Sequence, residues 1–142
     1  MIVLDTNLVS EPLRQNPDPA IRAWLDRQDE FHLYVTAITA AELLAGVAQL
    51  PLGRRRSGLE NRILGILDDF GEGRILPFDL AASHTHAVLR ARARGAGFVI
   101  SPLDAQIAAI AASRGFSVAT RDTAPFIAAG VAVIDPWHSA SV

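Results

Sequence analysis

The sequence predicts an α/β fold: a mostly parallel sheet of three or four strands with helices on both faces. Three observations point to it. Short, largely apolar runs at Ile2–Leu4, His32–Val35, Phe116–Thr120 and Val131–Ile134 read as strands. Stretches with apolar residues at helical spacing separate them, the arrangement expected of crossover connections. Gly and Pro clusters punctuate the boundaries, and the pattern holds more helix than strand.

In order, Ile2-Val3-Leu4 is a buried strand that runs into Asp5-Thr6-Asn7. Thr6 to Glu11 forms a short helical turn stopped by Pro12, and Pro12 to Pro17 is a connection. Asp18-Pro19 is an N-cap followed by proline at the first helical position, with Ile21, Trp24 and Leu25 on one face. After the His32–Val35 strand, Thr39 opens a helix whose stripe is Leu43, Leu44, Val47 and Leu50, broken by Pro51 to Gly53. Arg54 to Phe70 is a longer amphipathic helix with Leu59, Ile63, Ile66, Leu67 and Phe70 inward, closed by Gly71 and Gly73. Ile75 to Phe78 is a short strand or extended link. Asp79 caps a helix to about Arg94, ended by Gly95 and Gly97. Ser101-Pro102 starts the next, with Leu103, Ile107, Ile110 and Ala111 inward. Phe116–Thr120 leads into the turn Arg121-Asp122-Thr123, and Val131–Ile134 ends at Asp135-Pro136-Trp137.

The chain of 142 residues shows no repeat, low-complexity tract or linker, so one domain over 1–142 is expected. Without Cys, disulfides and thiolate metal sites are excluded. The absence of a secretory h-region and of any long apolar span leads us to expect a cytoplasmic protein with no membrane association. The net charge is −2, and all 13 basic residues are Arg. Setting aside four of the 15 acids as one metal site leaves 11 against 13, a surplus of +2. Arg suits bidentate phosphate contacts. Arg-only usage also follows from genome composition, so charge alone decides nothing.

Four carboxylates stand out. Each has an ordinary explanation: Asp5 caps the following turn, Thr39-Ala40-Ala41-Glu42 and Ser101 with Asp104 match capping boxes, and Asp122 is a turn residue. Together they read differently. Asp5 and Asp122 each follow a strand, and Glu42 and Asp104 each sit in the first turn of a helix, which in a doubly wound sheet is the ligand-binding edge. Like charges brought together there would raise one another's pKa, so a cluster implies a cation. Oxygen-only donors suit Mg²⁺ or Mn²⁺, not Zn²⁺.

These residues carry a resemblance. The chain resembles PIN-domain ribonuclease toxins of the VapC family, closest to the FitB-like branch. The matching stretches are Val3-Leu4-Asp5-Thr6-Asn7 with Ser10-Glu11-Pro12-Leu13-Arg14, Ala37 to Leu43 with Gly46-Val47, and Gly73 to Asp79. They continue through Asp104 with Ile107-Ala108-Ala109, Val118 to Thr123, and Val131 to His138, in order along nearly the whole chain. The resemblance implies a PIN-like three-layer α/β/α fold with a sheet of four to five strands. It also implies a divalent-metal-dependent endoribonuclease, the toxin of a type II toxin–antitoxin system, which hydrolyses RNA by metal-activated water. The family's catalytic, metal-binding acids fall on Asp5, Glu42, Asp104 and Asp122, with Thr6, Asn7 and Thr120 in support. Implied partners are RNA, a second copy in a homodimer, and a small antitoxin with a ribbon-helix-helix DNA-binding domain. Two departures stand out: Ser101-Pro102-Leu103 replaces small residues before Asp104, and Pro125 stands where many relatives carry another acid.

Competing readings are weaker. A phosphoaspartyl phosphatase of the haloacid-dehalogenase type needs a second Asp where this chain has Asn7. His84 and His86, two apart on a helix, diverge, and His32 and His138 lack an evident partner. Arg54-Arg55-Arg56 and Arg90, Arg92 and Arg94 are candidate RNA contacts, each set also explained as a solvated helix surface. Trp24 and Trp137 read as packing residues. The rival of a different class is a catalytically idle PIN scaffold acting as a regulatory protein- or nucleic-acid-binding partner, which retention of the acids disfavours.

Overall fold

The computed structural model describes residues 1–139. Five parallel strands form one sheet in the order β3-β2-β1-β4-β5. They are β1 (Ile2–Leu4), β2 (Leu33–Thr36), β3 (Ile75–Leu76), β4 (Ser117–Ala119) and β5 (Val133–Ile134). Ile2 pairs with Leu33 on one side and Ser117 on the other, which makes β1 the central strand. From β1 the chain builds outward through β2 and β3, then crosses to β4 and β5. The order therefore reverses between β1 and β4, and a crevice opens beyond their carboxyl ends.

The helices are α1 (Thr6–Ser10), α2 (Pro19–Asp26), α3 (Ala37–Ala48), α4 (Arg54–Phe70), α5 (Leu80–Gly95), α6 (Pro102–Ala112), α7 (Thr123–Ala128) and α8 (Pro136–Ser139). Strands covered on both faces need apolar side chains on both, which explains why β1 reads without alternation. Val3 and Val118 pack with Leu89, Ile107, Ile110 and Phe126 of α5, α6 and α7. Leu4 and Val35 pack with Leu8, Ile21, Trp24, Leu43 and Ile63 of α1 to α4 on the other face. The result is the expected α/β/α sandwich.

Several local expectations need correction. The helix after β2 is capped by Thr36, whose hydroxyl accepts from Thr39 N at 3.1 Å. The Thr39–Glu42 capping box therefore does not form, because the helix begins three residues earlier and Thr39 is fully buried within its first turn. Leu103 is 45% exposed rather than inward. The strand expected from His32 starts at Leu33, after a 3-10 turn at Glu30–His32. Val131 and Ala132 precede β5, and Pro136 opens a short helix instead of only ending a strand. His32 and His138, expected to have no partner for paired acid–base catalysis, make only local contacts among the described residues, to Asp29 and Asp135 three residues back, away from the cleft that the four carboxylates line.

The caps at Asp18, Asp79 and Ser101 are as expected. Ser101 has a bearing beyond its own helix, since its Oγ accepts from Asp104 N at 3.2 Å and so fixes the turn that carries Asp104. Ser101→Ala should cost about 1 kcal/mol, the usual worth of such a cap. A lower urea midpoint with an unchanged slope would register it.

Candidate metal centre

Asp5 follows β1 directly, and its N–H donates to Ala119 O at 3.0 Å, extending the ladder to the end of β4. Its side chain is thereby fixed at the crevice between the two strands. It is only 4% exposed. Oδ1 accepts from Thr6 N at 2.7 Å, so Asp5 also caps α1. Oδ2 accepts from the Thr120 hydroxyl at 2.7 Å, and Thr120 Oγ1 in turn accepts from Asp122 N at 3.2 Å. One hydroxyl thus ties the carboxylate after β1 to the turn after β4.

Glu42 arrives from α3, one turn beyond Thr39. Thr6 Oγ1 lies 2.9 Å from Glu42 Oε1 and 3.1 Å from Thr39 Oγ1. Its single proton goes to the charged acceptor, the stronger bond. Thr39 Oγ1 is also 3.4 Å from Thr36 Oγ1, which completes a small threonine network behind Glu42. Thr36 and Thr39 were not among the supporting residues expected from sequence. Their signal was present in the spacing Thr36-x-x-Thr39, which is itself an N-cap pattern.

Asp104 comes from the first turn of α6 and Asp122 from the N-cap position of α7, where its side chain makes no capping bond. An uncommitted carboxylate at a helix start is available for another purpose. Asp5, Thr6, Asn7, Ser10, Glu42, Asp104 and Asp122 line one open cleft of about 320 Å³. The four acids and two of the three supporting residues expected from sequence thus share a cleft; Thr120 lies beneath it, bonded to Asp5. Ser10 is the lining residue that sequence reasoning left out of the site.

The electrostatics follow from this arrangement. Burial pushes the Asp5 carboxyl up to about 6, the negative charges of Asp104 and Glu42 add to the rise, and the bonds from Thr120 and Thr6 N oppose it. No basic side chain lines the cleft. Among the described residues, no group of three His, Cys, Asp or Glu side chains is arranged to hold an ion unaided. The carboxylates face a common space without closing on one another.

The PIN domain family model matches residues 2–131. The chain belongs to this family. This PIN domain is similar to the VapC ribonuclease Y4jK of Sinorhizobium fredii, at 51% identity over 99% of this chain and 100% of that protein. It is similar to the toxin FitB of Neisseria gonorrhoeae at 45% identity, over 97% of this chain and 99% of that one. A solved structure of FitAB bound to an IR36 DNA fragment superposes with a TM-score of 0.92 at 44% identity, covering 97% of this chain and 96% of that one. Other expected features of the PIN domain take simpler roles. His86 lies edge-on to Phe78, Trp24 is buried, and Trp137 packs half-buried beneath the Arg121 guanidinium. Among the described residues no helix is long and apolar enough to cross a membrane.

Proposed function

We propose that the protein is a divalent-metal-dependent endoribonuclease of the VapC toxin type, with Asp5, Glu42, Asp104 and Asp122 as its catalytic carboxylates. The observation that carries the reading is the convergence of four acids, one of them buried, on a cleft lined by no cation. Ribonuclease and toxin names among relatives at 45–51% identity support the substrate class.

The donor set fits a hard cation: it offers only oxygen ligands, it is strongly negative, and the raised pKa of Asp5 marks charge awaiting compensation. Mg²⁺ is our first choice, with Mn²⁺ an alternative, and water would complete a coordination shell that the spread carboxylates leave open. When bound, the ion supplies charge stabilisation for the phosphodiester and an acidified water. The chain's own residues do the rest. Thr120 and Thr6 N hold the Asp5 carboxylate in one orientation, Thr6 orients Glu42, and the first turn of α6 presents Asp104. Asp122 is positioned through its own N–H by the same Thr120 hydroxyl. Asn7 and Ser10 offer neutral polar groups at the rim for the sugar–phosphate backbone.

We further propose that a small antitoxin with a ribbon-helix-helix DNA-binding domain inhibits this protein, which works as a homodimer in the cytoplasm; the solved FitAB complex is bound to a DNA fragment, which supports the DNA-bound partner alone. Cleavage of total cellular RNA, with sequencing of the new ends, tests the activity. Metal binding should also depend on pH. With the Asp5 carboxyl near 6, its ionised form predominates at pH 7 and falls to about a tenth at pH 5, so Mn²⁺ affinity by calorimetry should drop about ten-fold over that interval. A flat profile would remove Asp5 from the ligand set.

A further inference from the structure

The carboxylate cleft leaves one requirement of its substrate unmet. A strand carrying one negative charge per nucleotide gains no attraction from a cleft lined by four acids and no base, so affinity for the flanking phosphates must come from elsewhere. The surface beside the cleft supplies it. Ser10 and Glu42 also line a shallow trough whose walls include Leu43, Val47 and Leu59. That trough shares Leu13, Arg14 and Leu59 with a cleft of about 640 Å³. Arg14, Arg54, Arg55 and Arg62 line this last cleft, with no acidic side chain among its walls. The surface therefore runs without interruption from acids, over an apolar floor, to arginines.

The arginines come from two distant parts of the sequence, and their placement works against helix stability. Arg54, Arg55 and Arg56 fill the first turn of α4, where the helix dipole disfavours cations, and neither an acid nor a capping side chain offsets them. Arg56 turns away to donate to Leu50 O. Arg14 is partly occupied by Glu11 at 3.1 Å, and Arg62 donates to Pro12 O at 3.0 Å. Arg54 and Arg55 have no ion-pair partner among the described residues. Arg54 and Arg62 are separated by about 12 Å along the helix axis, enough to meet more than one phosphate. An anion lying here would reverse the unfavourable field at the start of α4 and satisfy both free guanidinium groups.

We propose that the cleft formed by Arg14, Arg54, Arg55 and Arg62 is the phosphate-anchoring subsite for the RNA strand, joined to the carboxylate cleft through the Leu43–Val47–Leu59 trough. The strand crosses the trough with its bases against apolar side chains and its backbone held beyond by arginine. This rests on the ribonuclease reading, and the experiment separates the two.

The probes are single-stranded RNAs of about four and about twelve nucleotides, lengths that bracket the reach of such grooves. Wild type should cleave the longer strand with the lower KM. In Arg54→Gln/Arg55→Gln that preference should vanish: KM for the longer strand rises about ten-fold while kcat at saturation stays within about two-fold. Losing two phosphate contacts should also flatten the dependence of log affinity on log salt by about 1.4, measured by anisotropy with the longer strand. Arg54→Lys/Arg55→Lys, which keeps the charge, should retain most of the slope and so exclude damage to the fold. A double Gln variant with the wild-type length preference and slope overturns the proposal. So does one that keeps both but escapes inhibition by the antitoxin, since the cleft then serves a protein partner. Wild type that cleaves neither these strands nor total cellular RNA removes the ribonuclease reading itself.

Discussion

Asp5→Asn should abolish RNA cleavage, by about a thousand-fold or more, and at the same time raise the melting temperature of the metal-free protein at pH 7. The first effect follows from removing the most buried charge of the proposed metal centre; a thousand-fold corresponds to about 4 kcal/mol of transition-state stabilisation, within what a bound ion supplies. The second follows from the pKa. Asp5 is raised from 3.8 to about 6 on folding, so between those values the native state holds a proton that the unfolded chain has released. The stability associated with that proton is full below pH 4 and is lost as the pH rises through 6. The loss above pH 6 is about 3 kcal/mol at most. Asn carries no charge to bury, and its amide can still accept from Thr6 N and donate toward Thr120 Oγ1. Metal-free Asp5→Asn should recover part of the loss, about 1–3 kcal/mol, whereas saturating Mn²⁺ should stabilise only the wild type. Equal melting points for the two metal-free proteins would contradict a charged, desolvated Asp5; equal cleavage rates would end the proposed mechanism.

That trade-off explains what could and could not be read from the sequence. Ile2-Val3-Leu4 ending in Asp5 announces both a doubly buried strand and a carboxylate at its end, because parallel strands abolish alternation and the carboxyl edge is where polar residues begin. Asp122 was legible for the same reason, since it follows a strand, and Asp104 was legible from its place in the first turn of a helix. Glu42 was legible as a candidate, and it does line the cleft, but its local role was wrongly explained. Thr36 and Thr39 are both competent caps, local pattern cannot rank them, and the sheet register decides: Thr36 ends β2 opposite Leu76, so the helix starts immediately after it. The Thr6–Glu42 and Thr120–Asp5 bonds span 36 and 115 residues, distances over which no spacing rule operates. Leu103 fits the apolar pattern of α6 yet is exposed, because the buried part of α6 begins only at Ala105 and its first residues stand at the rim of the cleft that Asp104 lines. The arginine run was visible as charge, but its division, with Arg54 and Arg55 in a cleft and Arg56 on Leu50 O, depends on how α4 leaves α3.

Thr120→Val should separate the orientation of Asp5 from its charge. The substitution is nearly isosteric at a fully buried position, so packing is preserved while one hydroxyl is lost. That hydroxyl donates to Asp5 Oδ2 and accepts from Asp122 N, and it is the strongest influence holding the Asp5 pKa down against burial. A hydrogen bond to a charged group is worth about 1.5–3 kcal/mol, equivalent to about one to two pKa units. The Asp5 carboxyl should therefore move from about 6 to above neutral, and the acid limb of the pH–rate profile should move with it. At pH 7 the variant should cleave RNA about two- to ten-fold more slowly than wild type, with much of the loss recovered toward pH 9. Stability should respond in the opposite sense to pH. The penalty should be largest where Asp5 is ionised in the wild type, above pH 6, and smaller near pH 4, where the neutral carboxyl no longer needs a donor. Thr120→Ser retains the hydroxyl and should retain the wild-type profile. A Thr120→Val enzyme with reduced rate but an unmoved acid limb would mean that Thr120 acts on Asp122 alone. The link between β1 and β4 would then be structural rather than electrostatic.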